Sequence, residues 1–352
     1  MRSIKAAFLA TTFLASAISV ASADVKVVAS IKPVHSLVSG VMEGIGKPVL
    51  LVKGAGSPHT YSLKPSQARE LQAADIVFWM SHDLEAFLEN SIENIAKNAK
   101  SVSLMDSHGL IKLNFREGGA FDAHGHDKHH DRDDHGHDDR DDHGHDKHHD
   151  RDDHGHDDRD DHGHDDRDDH GHDDRDDHGH DEVDPHAWLD PQNAKSLVHE
   201  IEEHLAEIDP GNAAKYEANA KAVMKKLDAL TKEIEADLKP TRKRGYVVFH
   251  DAYQYFEKRF GVSAVGSITV SPEVLPGAER VSELRDKVRS LSASCVFSEP
   301  QFEPKLVKTI TENTDAGTGV LDPLGAEIKD GPELYFTLIR NMAKSLKDCL
   351  MN

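Results

Sequence analysis

The 352-residue sequence predicts an α/β protein of two lobes, each a parallel sheet covered by helices, joined by one long helix. Two observations predict this. Short apolar runs alternate with helix-period stretches up to residue 121, and the same alternation resumes after residue 240. Between them, one amphipathic pattern runs unbroken from Asp209 to Leu238.

Residues 1–23 read as an export signal. Arg2 and Lys5 precede an apolar run over 6–20, and Ala21-Ser22-Ala23 forms the small-residue exit, so the mature chain is expected to begin near Asp24 in the periplasm. The run of about fifteen residues is shorter than the roughly 20 a membrane helix needs. Residues 24–121 then form the first lobe. Val25–Ser30, Pro48–Val52, Ile76–Met80 and Ser101–Met105 are its expected strands, and Pro33–Glu43, Pro65–Ala73 and Leu84–Lys97 its helices. An insertion over 122–182 interrupts this lobe, which resumes over 183–208.

Residues 209–240 are the linking helix. Asp209 is the expected N-cap, Pro210 suits the first turn, and Pro240 stops the helix. Its apolar positions are Tyr216, Ala220, Val223, Leu227, Leu230, Ile234 and Leu238, spaced by three and four. At about 1.5 Å per residue it spans roughly 40 Å, a stiff connector that favours small tilts over large hinge closure. Residues 241–352 form the second lobe, with strands at Tyr246–Phe249, Ala264–Ile268, Cys295–Ser298 and Gly319–Leu321. Its helices are expected over Ala252–Phe260, Gly277–Leu291, Pro304–Asn313 and Pro332–Leu350.

The formal charge of −22 is a local property. Asp122 to Glu182 carries 27 acidic and 8 basic residues, a charge of −19, which leaves −3 for the rest and speaks against a nucleic-acid partner. That insertion repeats His-Gly-His-Asp-Asp-Arg-Asp-Asp and holds 18 of the 26 histidines. Its composition cannot bury enough surface to offset the entropy of ordering, so it is expected to be disordered without metal. A solvated acidic spacer has no need of paired histidines. The composition points to a low-affinity, low-selectivity metal collector. The two cysteines, Cys295 and Cys349, are expected to form a disulfide in an oxidising compartment, pinning the last helix to the sheet and contributing roughly 2–4 kcal/mol.

Eight histidines lie outside the insertion: His35, His59, His82, His108, His186, His199, His204 and His250. Three sit where open α/β folds bind ligands, beyond the carboxyl ends of strands. His250 ends a strand. His59 lies in the loop Gly54-Ala55-Gly56-Ser57-Pro58-His59, and His186 in Asp184-Pro185-His186-Ala187-Trp188. Three neutral imidazoles and one further ligand make a tetrahedral Zn²⁺ site. A capping or core role is the alternative for each ring. His82 is the next candidate, His199 and His204 read as exposed helix positions, and His108 as a loop residue.

Five ordered motifs carry a resemblance through nearly the whole mature chain. They are Ser57-Pro58-His59-Thr60-Tyr61-Ser62-Leu63-Lys64-Pro65-Ser66, Asp184-Pro185-His186-Ala187-Trp188-Leu189-Asp190-Pro191, Val248-Phe249-His250-Asp251-Ala252-Tyr253, Glu299-Pro300-Gln301-Phe302 and Leu321-Asp322-Pro323-Leu324-Gly325. In these the chain resembles the zinc-uptake solute-binding proteins of ABC transporters. The resemblance implies two (β/α)₄ lobes with a metal cleft between them, a linking helix, and Zn²⁺ held by His59, His186 and His250. Cys295 and Cys349 match a family disulfide. Some members carry a glutamate where this chain has Pro58, so the fourth ligand is expected to be water or Asp322. Some place a histidine where this chain has Ser267, which argues against a second ordered site there. Glu299 and Asp251 are the expected outer partners of the imidazoles, with an ordinary capping or salt-bridge role as the alternative.

The expected function is capture of periplasmic Zn²⁺ and its delivery, by a monomer, to an ABC permease in the inner membrane. A zinc hydrolase with three histidines and a water is one rival, though no His-Glu-x-x-His motif is present. A passive periplasmic metal buffer is the other.

Overall fold

In a computed structural model of the chain, residues 24–116, 121, 183–269, 277–302 and 304–351 are described, and all belong to one compact unit. The expected export signal over 1–23 and the His/Asp-rich insertion over 122–182 lie outside the described residues.

The first sheet is built from β1 (Val27–Ala29), β2 (Val49–Leu50), β3 (Ile76–Trp79) and β4 (Lys100–Ser103) in the order β2-β1-β3-β4. The second repeats that plan with β5 (Tyr246–His250), β6 (Ala264–Thr269), β7 (Cys295–Ser298) and β8 (Gly317–Val320), ordered β6-β5-β7-β8. Every pair is parallel. In each sheet the order reverses beside its first strand. This leaves a crevice at the carboxyl ends of β1 and β3, and another at those of β5 and β7.

Alternate residues of each strand serve opposite faces. Val27 and Ala29 enter the main core, whereas Val28 joins the outer layer under α2 (Pro65–Gln72) and α3 (Ala86–Ile95). Val248 faces inward, and Val247 and Phe249 pack outward near α7 (Ala278–Ser290) and α8 (Pro304–Thr311). The main core runs without a break through both sheets' inner faces. It takes in α1 (Lys32–Val41), α4 (Pro191–Ile208), α5 (Ala213–Leu238) and α9 (Leu334–Met351).

All seven apolar positions expected on the linking helix are buried on α5. Its start differs from expectation. Pro210–Asn212 form a 3₁₀ turn, and the Asp209 carboxylate accepts hydrogen bonds from Asn212 Nδ2 and Tyr216 Oη, with no side-chain cap on a backbone N–H. The side chain therefore braces the α4–α5 corner. β4 also stops early: Leu104 and Met105 are buried in a 3₁₀ turn, which extended the apolar run beyond the strand. At the opposite end of the second sheet from the crevice, Cys295 of β7 is bonded to Cys349 of α9, with 6.2 Å between their Cα atoms.

Candidate metal centre

His250 is the last residue of β5 and is 5% exposed. The next residues make a turn, closed by Ala252 N donating to His250 O, before α6 (Gln254–Phe260) begins. That turn holds the ring at the carboxyl edge of the sheet. His186 caps the 3₁₀ turn Ala187–Leu189 and is 3% exposed. His59, half-buried, sits in the 3₁₀ turn Pro58–Thr60, where Pro58 fixes the backbone at its first position.

The three rings converge from these distant segments. Their centroids lie 5.5 Å (His59–His186), 5.8 Å (His59–His250) and 5.3 Å (His186–His250) apart. One nitrogen from each lies within 4.8 Å of the other two. The Nε2 atoms of His186 and His250 are 3.4 Å apart. Two nitrogens bound to one ion in a tetrahedron at roughly 2.0–2.1 Å stand about 3.4 Å apart, so this spacing suits a shared cation.

Two buried carboxylates set the orientation. His250 Nδ1 lies 2.7 Å from Glu299 Oε1, and His186 Nδ1 lies 2.6 Å from Asp184 Oδ1. A neutral imidazole that donates from Nδ1 presents a lone pair at Nε2. Both Nε2 lone pairs then face one point, an arrangement that is repulsive until a cation occupies it. Burial lowers the pKa of His250, but the charge and hydrogen bond of Glu299 outweigh it and raise it. Burial pushes the Asp184 carboxyl up to about 7, against hydrogen bonds from His186 N and Gln254 Nε2. The rings, Pro58, Trp188, Phe302, Pro323 and Leu324 enclose a cavity of about 10 Å³. That is close to the space of one water or one ion.

The chain matches the family described as zinc-uptake complex component A, periplasmic, over residues 27–349. It belongs to that family. It is 56% identical to the high-affinity zinc uptake system protein ZnuA of Brucella abortus (strain 2308), over 99% of each chain. The ZnuA protein of Yersinia pestis is 33% identical, over 99% of this chain and 98% of its own. Among solved structures, a crystal structure of ZnuA superposes with a TM-score of 0.67 at 22% identity, covering 93% of this chain and 99% of that one. A zinc-bound deletion mutant of ZnuA gives 0.66 at 22% identity, over 93% and 98% of the two chains. At such identities these structures bear on the fold alone.

Two residues expected at the site from the family resemblance are engaged elsewhere. Asp322 is outside the converging group. Its carboxylate accepts from the backbone N–H groups of Leu324 (3.1 Å), Gly325 (2.9 Å) and Ala326 (2.6 Å), and from Gln301 Nε2 (3.1 Å). It is a turn-forming residue. Asp251 pairs with Arg116, which also reaches Glu257. Asp251 lies in the turn that follows the strand, where Arg116 holds its carboxylate.

The partner sequence reasoning missed is Asp184, although it stands in the motif of His186. A carboxylate two residues before a histidine reaches both its N–H and its ring once the backbone turns, as here with His186 N at 2.9 Å. His82 is exposed and pairs with Glu89. His199 pairs with Glu202, and His204, only 21% exposed, with Glu200. Among the described residues no second group of three or more metal-ligating side chains converges.

Proposed function

We propose that this chain is the periplasmic zinc-binding component of a zinc-uptake ABC transporter, capturing Zn²⁺ with His59, His186 and His250 and handing it to the membrane permease. The observation that carries the reading is the 3.4 Å approach of two Nε2 atoms whose Nδ1 partners are both carboxylates. Membership of the zinc-uptake family supports the same cargo. The small-residue exit at Ala21-Ser22-Ala23 supports export. The insertion over 124–180 acts as a low-affinity collector that raises the local metal concentration, and the cleft selects by geometry. The chain works as a monomer whose two lobes present one face to the permease.

The cavity of about 10 Å³ between the three imidazoles, lined also by Ser57, Glu299, Gln301 and apolar side chains, is the size of an ion rather than of an ester or a peptide. This supports a carrier over a hydrolase. Replacing His59, His186 or His250 by alanine is expected to weaken zinc binding by at least 100-fold in competition with a chelator. The same variants are expected to leave a deletion strain unable to grow in chelated medium. Wild-type affinity in any one of them would overturn the three-imidazole site.

A further inference from the structure

Gln254 opens α6 and is 8% exposed. Its Nε2 lies 2.7 Å from Asp184 Oδ2 and 3.0 Å from Asn114 O. An ionised carboxylate and a backbone carbonyl only accept, so the amide nitrogen must face them and give one proton to each. Among neutral side chains, only an amide supplies two donors from one atom.

What this bond does follows from how Asp184 is held. Its backbone is fixed on both sides, with its N–H donating to Leu113 O at 2.9 Å and its carbonyl accepting from Tyr255 Oη at 2.8 Å. Its carboxylate is wholly buried and faces His186 with Oδ1 alone, 2.9 Å from the backbone N and 2.6 Å from Nδ1. Gln254 grips the other oxygen, which stops the carboxylate from turning off the ring. The Arg116 guanidinium is engaged by Asp251 and Glu257. A carboxylate free to turn would let His186 adopt its other tautomer, with Nε2 protonated and closed to a cation.

Resting on the three-imidazole reading above, we propose that Gln254 is a positioning residue for zinc, which fixes the tautomer and aim of His186 through Asp184 and registers that ring against His250. It stands four residues after His250 on the chain, and Asp184 stands two before His186. One amide therefore ties the segment carrying one ligand to the segment carrying the other. Its bond to Asn114 O adds a second fixed point, in the short bridge between Asn114 and Val183. Gln254 is not a member of the converging group and acts on the ion only through these contacts.

The test uses the mature chain with Gln254→Met, which keeps the reach of the side chain and removes both donors. Zinc affinity is read by chelator competition, and the tautomer of each imidazole by ring-nitrogen NMR of the zinc-free protein above the histidine titration range. Affinity is expected to fall about tenfold, within the range for outer partners of a metal site. His186 is expected to become a mixture of tautomers while His250, held by Glu299, keeps its own. Adding Gln254→Met to Asp184→Asn is expected to cost little more than Asp184→Asn alone, because the amide acts through that carboxylate. If the methionine variant does not fold, Gln254→Asn, which withdraws the amide by one methylene, carries the same readings. Wild-type affinity or an unchanged His186 tautomer overturns the inference. So does equal disturbance of both rings, which marks general loosening, or a strictly additive loss in the double variant. Alanine at His59, His186 or His250 serves as the control. If those variants still bind zinc tightly, the three-imidazole site itself is misread. If they fail while Gln254→Met binds normally, only the role of Gln254 is.

Discussion

At the scale of single residues, the site is a matter of which nitrogen carries a proton. Glu299 and Asp184 each accept a hydrogen bond from the Nδ1–H of one imidazole and so favour the tautomer that turns a bare Nε2 toward the cleft. Glu299→Gln keeps the shape but removes the charge, and its amide can turn a donor toward Nδ1. Zinc affinity is expected to fall about 10–100-fold in chelator competition. The pH dependence should change as well. Each imidazole must be neutral to bind, so wild-type affinity falls as pH falls through the histidine range. Glu299 raises the pKa of His250, so that fall begins at a higher pH than an ordinary histidine would give. In the glutamine variant it should begin lower. The three imidazoles were legible because glycine- and proline-rich turns at strand ends are where this architecture collects ligands. Asp322 and Asp251 could not be placed in the same way, because nothing in their own motifs shows that one carboxylate serves a turn and the other pairs with Arg116.

Elements explain what residues cannot. The two sheets share one strand order, and their crevices hold comparable pairs. Beyond the carboxyl ends of β5 and β7 the second sheet pairs His250 with Glu299, and beyond those of β1 and β3 the first pairs Ser30 with Glu85. Glu85 is fully buried. It accepts from Ser30 Oγ, Met80 N and Ser81 N, and burial outweighs these bonds to push its pKa up to about 7. A raised carboxyl holds a proton that the unfolded chain releases near pH 4.5. Its contribution is therefore complete below about 4.5 and is lost as pH rises through about 7, on the order of 3 kcal/mol in all. Glu85→Gln is expected to remove that slope from a stability–pH curve measured by denaturant unfolding.

α6 is the other decisive element. Gln254 donates to Asp184 Oδ2 and Asn114 O, Tyr255 donates to Asp184 O, and Arg259 forks onto Asp190. Arg116 returns the contact by reaching Asp251 and Glu257. Arg116→Met would leave two buried carboxylates without their cation. The expected cost is about 3 kcal/mol, toward the low end for a buried pair because Arg116 is itself 22% exposed. Denaturant unfolding of the zinc-free chain measures it. The strands and helices could be read from apolar periodicity, but this polar docking could not. On a helix of seven residues, Gln, Tyr, Glu and Arg look like solvent-facing positions until the segment packed against them is known.

For the molecule as a whole, the two sheets are tied together on several sides. α5 contributes a continuous buried stripe, and the main core passes through both halves. Lys32 donates to Ala326 O and Ile328 O and pairs with Asp330. Trp188 donates to Pro323 O, and Tyr335 donates to Trp188 O. Such stitching joins the two halves at several separate points. The structural unit that holds the three imidazoles is complete without the insertion. Deleting residues 124–180 is expected to lower the number of ions bound while leaving one tight site, and calorimetry on that variant would show a single high-affinity transition. Loss of the tight transition would remove the proposed division of labour.

The antiparallel bridge between Asn114 and Val183 brings the two flanks of the insertion side by side, three residues ahead of His186. With the flanks held there, a change in the number of eight-residue units between them is expected to leave the position of His186 unshifted. Tandem coding repeats are prone to copying slippage, and most inserts of this kind would damage a fold. A change in the number of repeats is therefore expected to alter the histidine count and leave the spacing of the three imidazoles as it is.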